Sequence, residues 1–256
     1  MPPIVNQSVL IIGGSSGIGF AVAKLCLAEG ARVAIASSNP ARVDDAVKRL
    51  AAAVPQARHA PRGFTIDLGS EAVEANLGAL LTDLTRQGAE PLDHLVTTAA
   101  KPDVRPLAEA RLAYLQQSAQ IPVFVSVLLA KLGARFLREG PAASLILTSG
   151  KVAERPVPGF SVFAAYAAAQ YGLARNLALD LAPRRVNLVS PGATETELWG
   201  EHREAIYDMS AQRPLLGKPG KPDEVAEAYV YLMKNTDATG SIVSSDAGAS
   251  LKYSLV

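Results

Sequence analysis

An apolar run, Ser8-Val9-Leu10-Ile11-Ile12, leads directly into Gly13-Gly14-Ser15-Ser16-Gly17-Ile18-Gly19, and Phe20-Ala21-Val22-Ala23-Lys24-Leu25-Cys26-Leu27 continues as a helix-forming stretch. A buried strand that turns on glycines into a helix N-terminus aims free N–H groups and the positive end of the helix dipole at one point. The missing side chains let a phosphate approach the backbone there. The same residues also suit a plain tight turn, so the rest of the chain must decide.

The rest of the chain alternates. Strand cores at 8–12, 32–36, 63–67, 93–98, 144–149, 186–190 and 241–245 are separated by helical stretches near 17–29, 40–53, 70–87, 107–138, 162–182 and 222–234. This pattern predicts an α/β fold: a Rossmann-like, doubly wound, parallel seven-stranded sheet with helices on both faces. Pro183 stops the fifth helix, and Pro222 opens the sixth where its missing N–H costs little. At 256 residues the chain is expected to form one domain, 1–256. Residues 193–221 show no clear periodicity and carry Trp199, His202, Tyr207 and Met209. Following a strand's C-terminal end, such a segment lies over the ligand crevice as a substrate lid, or is a plain surface loop.

Several functions are disfavoured by composition. Basic and acidic residues nearly cancel (25 against 24, net +1), so the charge excess that nucleic acid or an anionic membrane demands is missing. No apolar run is expected to reach transmembrane length, and the N-terminus lacks a signal-peptide pattern. The sole cysteine, Cys26, has no partner for an internal disulfide, which fits a structural thiol in the cytoplasm. His59, His94 and His202 show no metal-ligand spacing, so no metal is expected. His202, within the 193–221 segment, is a candidate acid.

Gly13-x-x-x-Gly17-Ile18-Gly19 resembles the fingerprint of the short-chain dehydrogenases/reductases, and the later segments keep that family's order. Asp67-Leu68 closes the third strand, and Thr97-Thr98-Ala99-Ala100 stands where the family has Asn-Asn-Ala-Gly. Leu145-Ile146-Leu147-Thr148-Ser149 is similar to the strand ending at the catalytic serine. Val186-Asn187-Leu188-Val189-Ser190-Pro191-Gly192 is similar to the one running into the nicotinamide loop. The resemblance implies a nicotinamide dinucleotide held by Gly13, Ser15, Ser16, Gly17, Ile18 and Gly19, with Asp67 and Leu68 at the adenine. Ala99, Ala100, Pro191, Gly192, Thr194 and Thr196 would lie along its nicotinamide half. It also implies a homodimer or homotetramer built on the fourth and fifth helices.

Cofactor choice turns on the end of the second strand. An NAD-selective site carries an acidic residue there for the ribose hydroxyls; this chain has Ser37. Without the carboxylate, a 2′-phosphate is not repelled, and Ser37, Ser38, Asn39 and Arg42 can donate to it. NADP(H) is therefore expected. The two positions where NADP-selective relatives carry a basic residue are Ser16 and Ser38, and Arg42 lies a turn further on.

The family's Asn-Ser-Tyr-Lys machinery aligns poorly. One frame uses Tyr166 with Gln170 in place of lysine. The other follows the downstream stretch Gly172-Leu173-Ala174-Arg175-Asn176-Leu177-Ala178-Leu179-Asp180-Leu181-Ala182-Pro183 without a gap, which puts Phe163 in the tyrosine slot, Ala167 in the lysine slot, Gly150 in the serine slot and Ala119 in the asparagine slot. None of these four transfers a proton. Ser149, Tyr166 and Gln170 are the candidate substitutes. Their ordinary roles would be interface packing for Tyr166 and a surface or subunit contact for Gln170; Lys101 and Lys151 would be solvated.

Three functions stay open. The first is an NADP(H)-dependent reductase of a small organic or natural-product molecule, working on an already activated imine, iminium or polarised double bond. The second is a non-catalytic NADP(H)-binding sensor or scaffold. The third is a natural-product cyclase on the same scaffold.

Overall fold

The computed structural model describes residues 1–211 and 214–251, except the side chains of His202, Ala205, Met209 and Ala211. Seven parallel strands form one sheet: β1 (Ser8–Ile12), β2 (Arg32–Ser37), β3 (Arg62–Thr65), β4 (His94–Thr97), β5 (Ser144–Thr148), β6 (Arg185–Pro191) and β7 (Ile242–Ser245). Their order is β3-β2-β1-β4-β5-β6-β7. The chain winds outward from β1 through β2 to β3, returns to set β4 on the other side of β1, and winds outward again. The C-terminal ends of β1 and β4 therefore flank the switch point, where doubly wound sheets bind ligands.

Strand periodicity divides the core. Leu10 and Ile12 of β1 face one layer and Val9 and Ile11 the other. The first layer is completed by α3 (Val73–Leu84), α5 (Ser126–Phe136) and α6 (Ser161–Asp180). The second is completed by α1 (Gly17–Ala28), α2 (Pro40–Ala53) and α8 (Pro222–Lys234). Cys26 is fully buried there, its Sγ 3.8 Å from the Met233 sulfur, and desolvation raises its pKa far above the ordinary thiol value.

Three sequence expectations need correction. The single helix at 107–138 is instead a short 3₁₀ turn (Leu107–Glu109), α4 (Leu112–Ala119), a π-helical turn (Gln120–Val125) and α5. Pro122 has no N–H to give the preceding turn and its ring crowds that turn's carbonyl, so the helix widens around it. Joined, Leu112–Phe136 is long and apolar enough to cross a membrane by length and composition, contrary to expectation. Its Leu129, Ala130, Leu132 and Phe136 nevertheless lie in the core. Finally, the segment 193–221 is not irregular throughout: it holds a 3₁₀ stretch (Glu197–His202) and α7 (Arg203–Ala211).

Buried polar groups tie the layers together. Arg185, 2% exposed, donates to the carbonyls of Leu232 and Met233 in the last turn of α8, and to Pro141 and Ala238. These are α8 carbonyls without intrahelical partners. Desolvation lowers the Arg185 pKa to about 10, still well above neutrality. His94 of β4, fully buried, bonds Ser144 at 2.8 Å and Gln7 at 2.7 Å.

Candidate active site

The glycine loop is built by close approach. A Cβ on Gly13 would lie 2.6 Å from the Ala99 nitrogen, and one on Gly19 only 2.3 Å from the Gly13 carbonyl. Gly13 and Gly17 also adopt positive φ (93° and 52°), where other residues are strained. Thr98 fastens the loop to β4, its N–H donating to the Ile12 carbonyl at 2.8 Å and its Oγ1 reaching the Gly13 carbonyl at 3.3 Å. The N-terminus of α1 thus opens at the switch point.

A cavity of about 330 Å³ lies beside the loop, lined by Ser38, Phe64, Thr65, Ile66, Asp67, Asn76, Ala79 and Leu80. Asp67 stands at its edge and accepts from the Gly69 N–H at 2.9 Å; Leu68 is buried behind it, its carbonyl bonded to Gln120. A glycine cradle that a Cβ would fill, beside a cavity of this size, fits an adenosine diphosphate.

The predicted 2′-phosphate donors are dispersed. Ser37 accepts from Ser15 Oγ at 2.9 Å. Asn39 is spent on capping α2, accepting from the Arg42 N–H at 3.0 Å. The Arg42 side chain is exposed and makes no hydrogen bond among the described residues. Sequence reasoning missed Arg49 of α2, which reaches back to donate to the Ser15 carbonyl at 2.9 Å. No local pattern joins positions 34 residues apart on a loop and a helix.

Along the other half of the crevice, Pro191 ends β6 and the half-buried Gly192 follows it; a Cβ on Gly192 would meet the Asp246 backbone at 2.8 Å. Thr194 is buried and donates to the Gly192 carbonyl at 3.1 Å. Thr196 packs its methyl toward Gly17, and the next residue, Glu197, accepts from the Gly17 N–H. Ala100, Ser16 and Ile18 lie at the crevice without side-chain hydrogen bonds among the described residues.

The four positions that the gap-free frame assigns to the tetrad hold no proton donor. Gly150 is extended (φ −167°), and a Cβ there would meet nothing within 4 Å. Ala119 and Ala167 are buried. Phe163 packs edge to face on Phe160, ring centres 6.2 Å apart. Ser149 donates its hydroxyl to the Ala167 carbonyl at 2.7 Å, one turn beyond Phe163. Tyr166 is half-buried. Gln170 is not a surface residue: it is 6% exposed, and its Oε1 has no partner. The helix turns it into the core with Ala167 and Ala174.

Lys151 also departs from the solvated role. Its side chain is 10% exposed and lies 2.6 Å from Glu154, 3.0 Å from Ser244 and 3.4 Å from Asp246. Tyr171 extends the network, its hydroxyl bonding Glu154 and Ser190, each at 2.7 Å. The Lys151 hydrogen bond holds Glu154 below its ordinary pKa. Burial works against ionisation of Asp246, but the Ser250 N–H and the Lys151 charge outweigh it and lower its pKa. Burial pushes Tyr171 up to about 12, opposed by Ser190 and reinforced by Glu154. Two carboxylates thus face one ammonium at the ends of β5 and β7. Lys101 is exposed as expected. No cluster of metal-ligating side chains occurs among the described residues, and His202's side chain lies outside them.

The family model described as an SDR-like Rossmann domain matches residues 2–252. The chain is 43% identical over 256 residues to short-chain dehydrogenase/reductase ATR9 of Stachybotrys chlorohalonatus, covering 98% of this chain and all of that one. It is 38% identical to short-chain dehydrogenase/reductase malC of Malbranchea aurantiaca, with 96% of each chain covered. The solved structure of the MalC reductase/Diels-Alderase from that organism superposes with a TM-score of 0.92, at 37% identity and 97% coverage of each chain. The glycine loop, the switch-point crevice and these likenesses together make the chain a member of the short-chain dehydrogenase/reductase family, an oxidoreductase built for a nicotinamide nucleotide.

Proposed function

We propose that the protein is an NADP(H)-dependent reductase of a small organic or natural-product molecule that arrives already activated, as an iminium or a polarised double bond. One observation carries this reading: Ala119, Gly150, Phe163 and Ala167 offer no proton to a carbonyl oxygen, and the adjacent Ser149 hydroxyl is spent on the helix. A bound dihydronicotinamide supplies hydride. Everything else falls to orientation, which can provide much of a rate on its own.

The chain's residues divide that task. The glycine loop and Thr196 fix the dinucleotide end to end, with Ser37 in place of the carboxylate that would repel a 2′-phosphate. Lys151, Glu154 and Asp246 leave one net negative charge at the ends of β5 and β7, which favours a cationic substrate. Residues 1–256 act as one domain in a homodimer or homotetramer, with 193–221 as a lid whose Trp199 and Tyr207 exclude water. A reducing cytoplasm suits the buried, unpaired Cys26.

A second reading draws on the similarity to the MalC reductase/Diels-Alderase: the same crevice can shape a cyclisation after reduction. Single-turnover loss of nicotinamide fluorescence, measured against ketones and cyclic iminium ions, tests the first reading. Consumption of NADPH by iminium substrates and not by ketones is expected. Turnover of ketones alone overturns it, and tight NADPH binding without turnover of any panel member favours a sensor or scaffold.

A further inference from the structure

We propose that Arg49, on the third turn of α2, is the cation that receives the adenosine 2′-phosphate and so determines the nucleotide preference. The proposal rests on the NADP(H) reading above and assigns its charge to a helix residue outside the strand end and the loop.

Three contacts fix the guanidinium at the outer lip of the glycine loop. One Nη donates to the Ser15 carbonyl at 2.9 Å. The Cζ lies 4.5 Å above the Phe20 ring of α1. The Nε is 2.8 Å from an Asp45 carboxylate oxygen one turn earlier. A planar group stacked on one face and hydrogen-bonded at two edges loses little freedom when it meets a phosphate.

The group also lies where that phosphate belongs. Ser15, whose carbonyl it holds, bonds Ser37 through its own hydroxyl, and Ser37 occupies the strand-end slot at which ribose selectivity is decided. Ser38 lies on the rim of the adenosine cavity. Ser15, Ser37 and Ser38 therefore line the path from that cavity to Arg49, supplying hydroxyl donors while Arg49 supplies charge. Its side chain is 45% exposed, open to a ligand, whereas Asp45 is 64% exposed and can release its nitrogen at small cost. Arg42, nearer to the strand end in sequence, makes only a backbone hydrogen bond, to the Asn39 side chain that caps α2.

Titration of intrinsic nicotinamide fluorescence with NADPH and NADH, backed by competition with 2′,5′-ADP and 5′-AMP, tests the assignment without requiring turnover. The wild type should favour NADPH by roughly tenfold. Arg49→Gln should erase most of that ratio by weakening NADPH and 2′,5′-ADP while leaving NADH and 5′-AMP unchanged; Arg49→Lys should restore part of it, and Asp45→Asn should raise it. A preserved ratio in Arg49→Gln, with collapse in Arg42→Gln, overturns the proposal but leaves the NADP(H) reading standing. Equal loss of both nucleotides assigns Arg49 to holding the loop and also overturns it. Equal affinities in the wild type sink both.

Discussion

The Glu197 carboxylate accepts a hydrogen bond from the Gly17 N–H at 2.9 Å, so an anion of the chain's own sits at the N-terminus of α1. An incoming pyrophosphate must displace or repel it. A carboxylate at a helix N-terminus is worth ~0.3–1 kcal/mol, so Glu197→Ala should bind the dinucleotide roughly two- to fivefold more tightly. Fluorescence titration at low ionic strength reads the effect, and unchanged or weaker binding would show that Glu197 does not compete for the site.

Gly19 tolerates no side chain. A Cβ there would fall 2.3 Å from the Gly13 carbonyl and 2.4 Å from Thr98 Oγ1. Gly19→Ala must push β1, α1 and β4 apart, which should cost about 1–3 kcal/mol of stability, as overpacking does, and abolish dinucleotide binding. Urea unfolding and titration of the same variant check both effects.

Acid should destabilise the fold through His94. Burial lowers its pKa from 6.5 to about 3, so the native imidazole stays neutral while the unfolded one charges. The unfolded chain binds the extra proton, and the stability present above pH 6.5 is lost progressively as pH falls toward 3. At pH 5 the loss from this group is about 2 kcal/mol. Unfolding curves at pH 7 and pH 5 should differ by that amount more in the wild type than in His94→Gln.

Self-association should use the outer faces of the π turn, α5 and α6. Phe124, Val127 and Leu179 are exposed apolar residues there, Leu179 at 78%. Light scattering should give a multiple of 26.8 kDa, and Phe124→Glu with Leu179→Glu should reduce it to the single-chain mass. A single-chain mass for the wild type at micromolar concentration would refute the assembly.

The alignment of the tetrad can be rebuilt and tested. Gly150→Ser, Phe163→Tyr and Ala167→Lys together should confer ketone reduction, since a general acid contributes ~100-fold to 10,000-fold and Gly150 has open space for the new hydroxyl. Gln170→Lys should instead lose stability, because its ammonium would be buried without a partner. NADPH oxidation by Gln170→Lys with an inert, folded triple variant would make Tyr166 the acid.

Strands were legible because buried β-segments are continuous apolar runs bounded by glycine and charge; β1, β2 and β5 start where the sequence places them. The glycine loop was legible because its spacing and its position between strand and helix are both local. Gln170 was not. Ala167, Ala168 and Ala169 precede it and Tyr171 and Gly172 follow, so the stretch around it offers no polar face from which to read its phase. Arg49 and Glu197 were hidden for another reason: each reaches the loop across the tertiary structure, from 34 and 180 positions away.

The π turn at Gln120–Val125 joins α4 to α5 without a break. Each residue of an α-helix advances it by about 100°, so one extra residue in a regular helix would rotate everything beyond it by roughly that angle, and a π turn absorbs that residue locally. Tyr114 and Ala119 before the turn, and Leu129, Leu132 and Phe136 after it, are all buried. Removing one residue from α5 would turn the side chains beyond it by about 100° and carry Leu132 and Phe136 away from the core, whereas removing one from the π turn closes it to an α turn and leaves both flanks in place. Length is therefore as strictly specified as composition on either side of the turn, and the turn itself is where this helix can lose a residue.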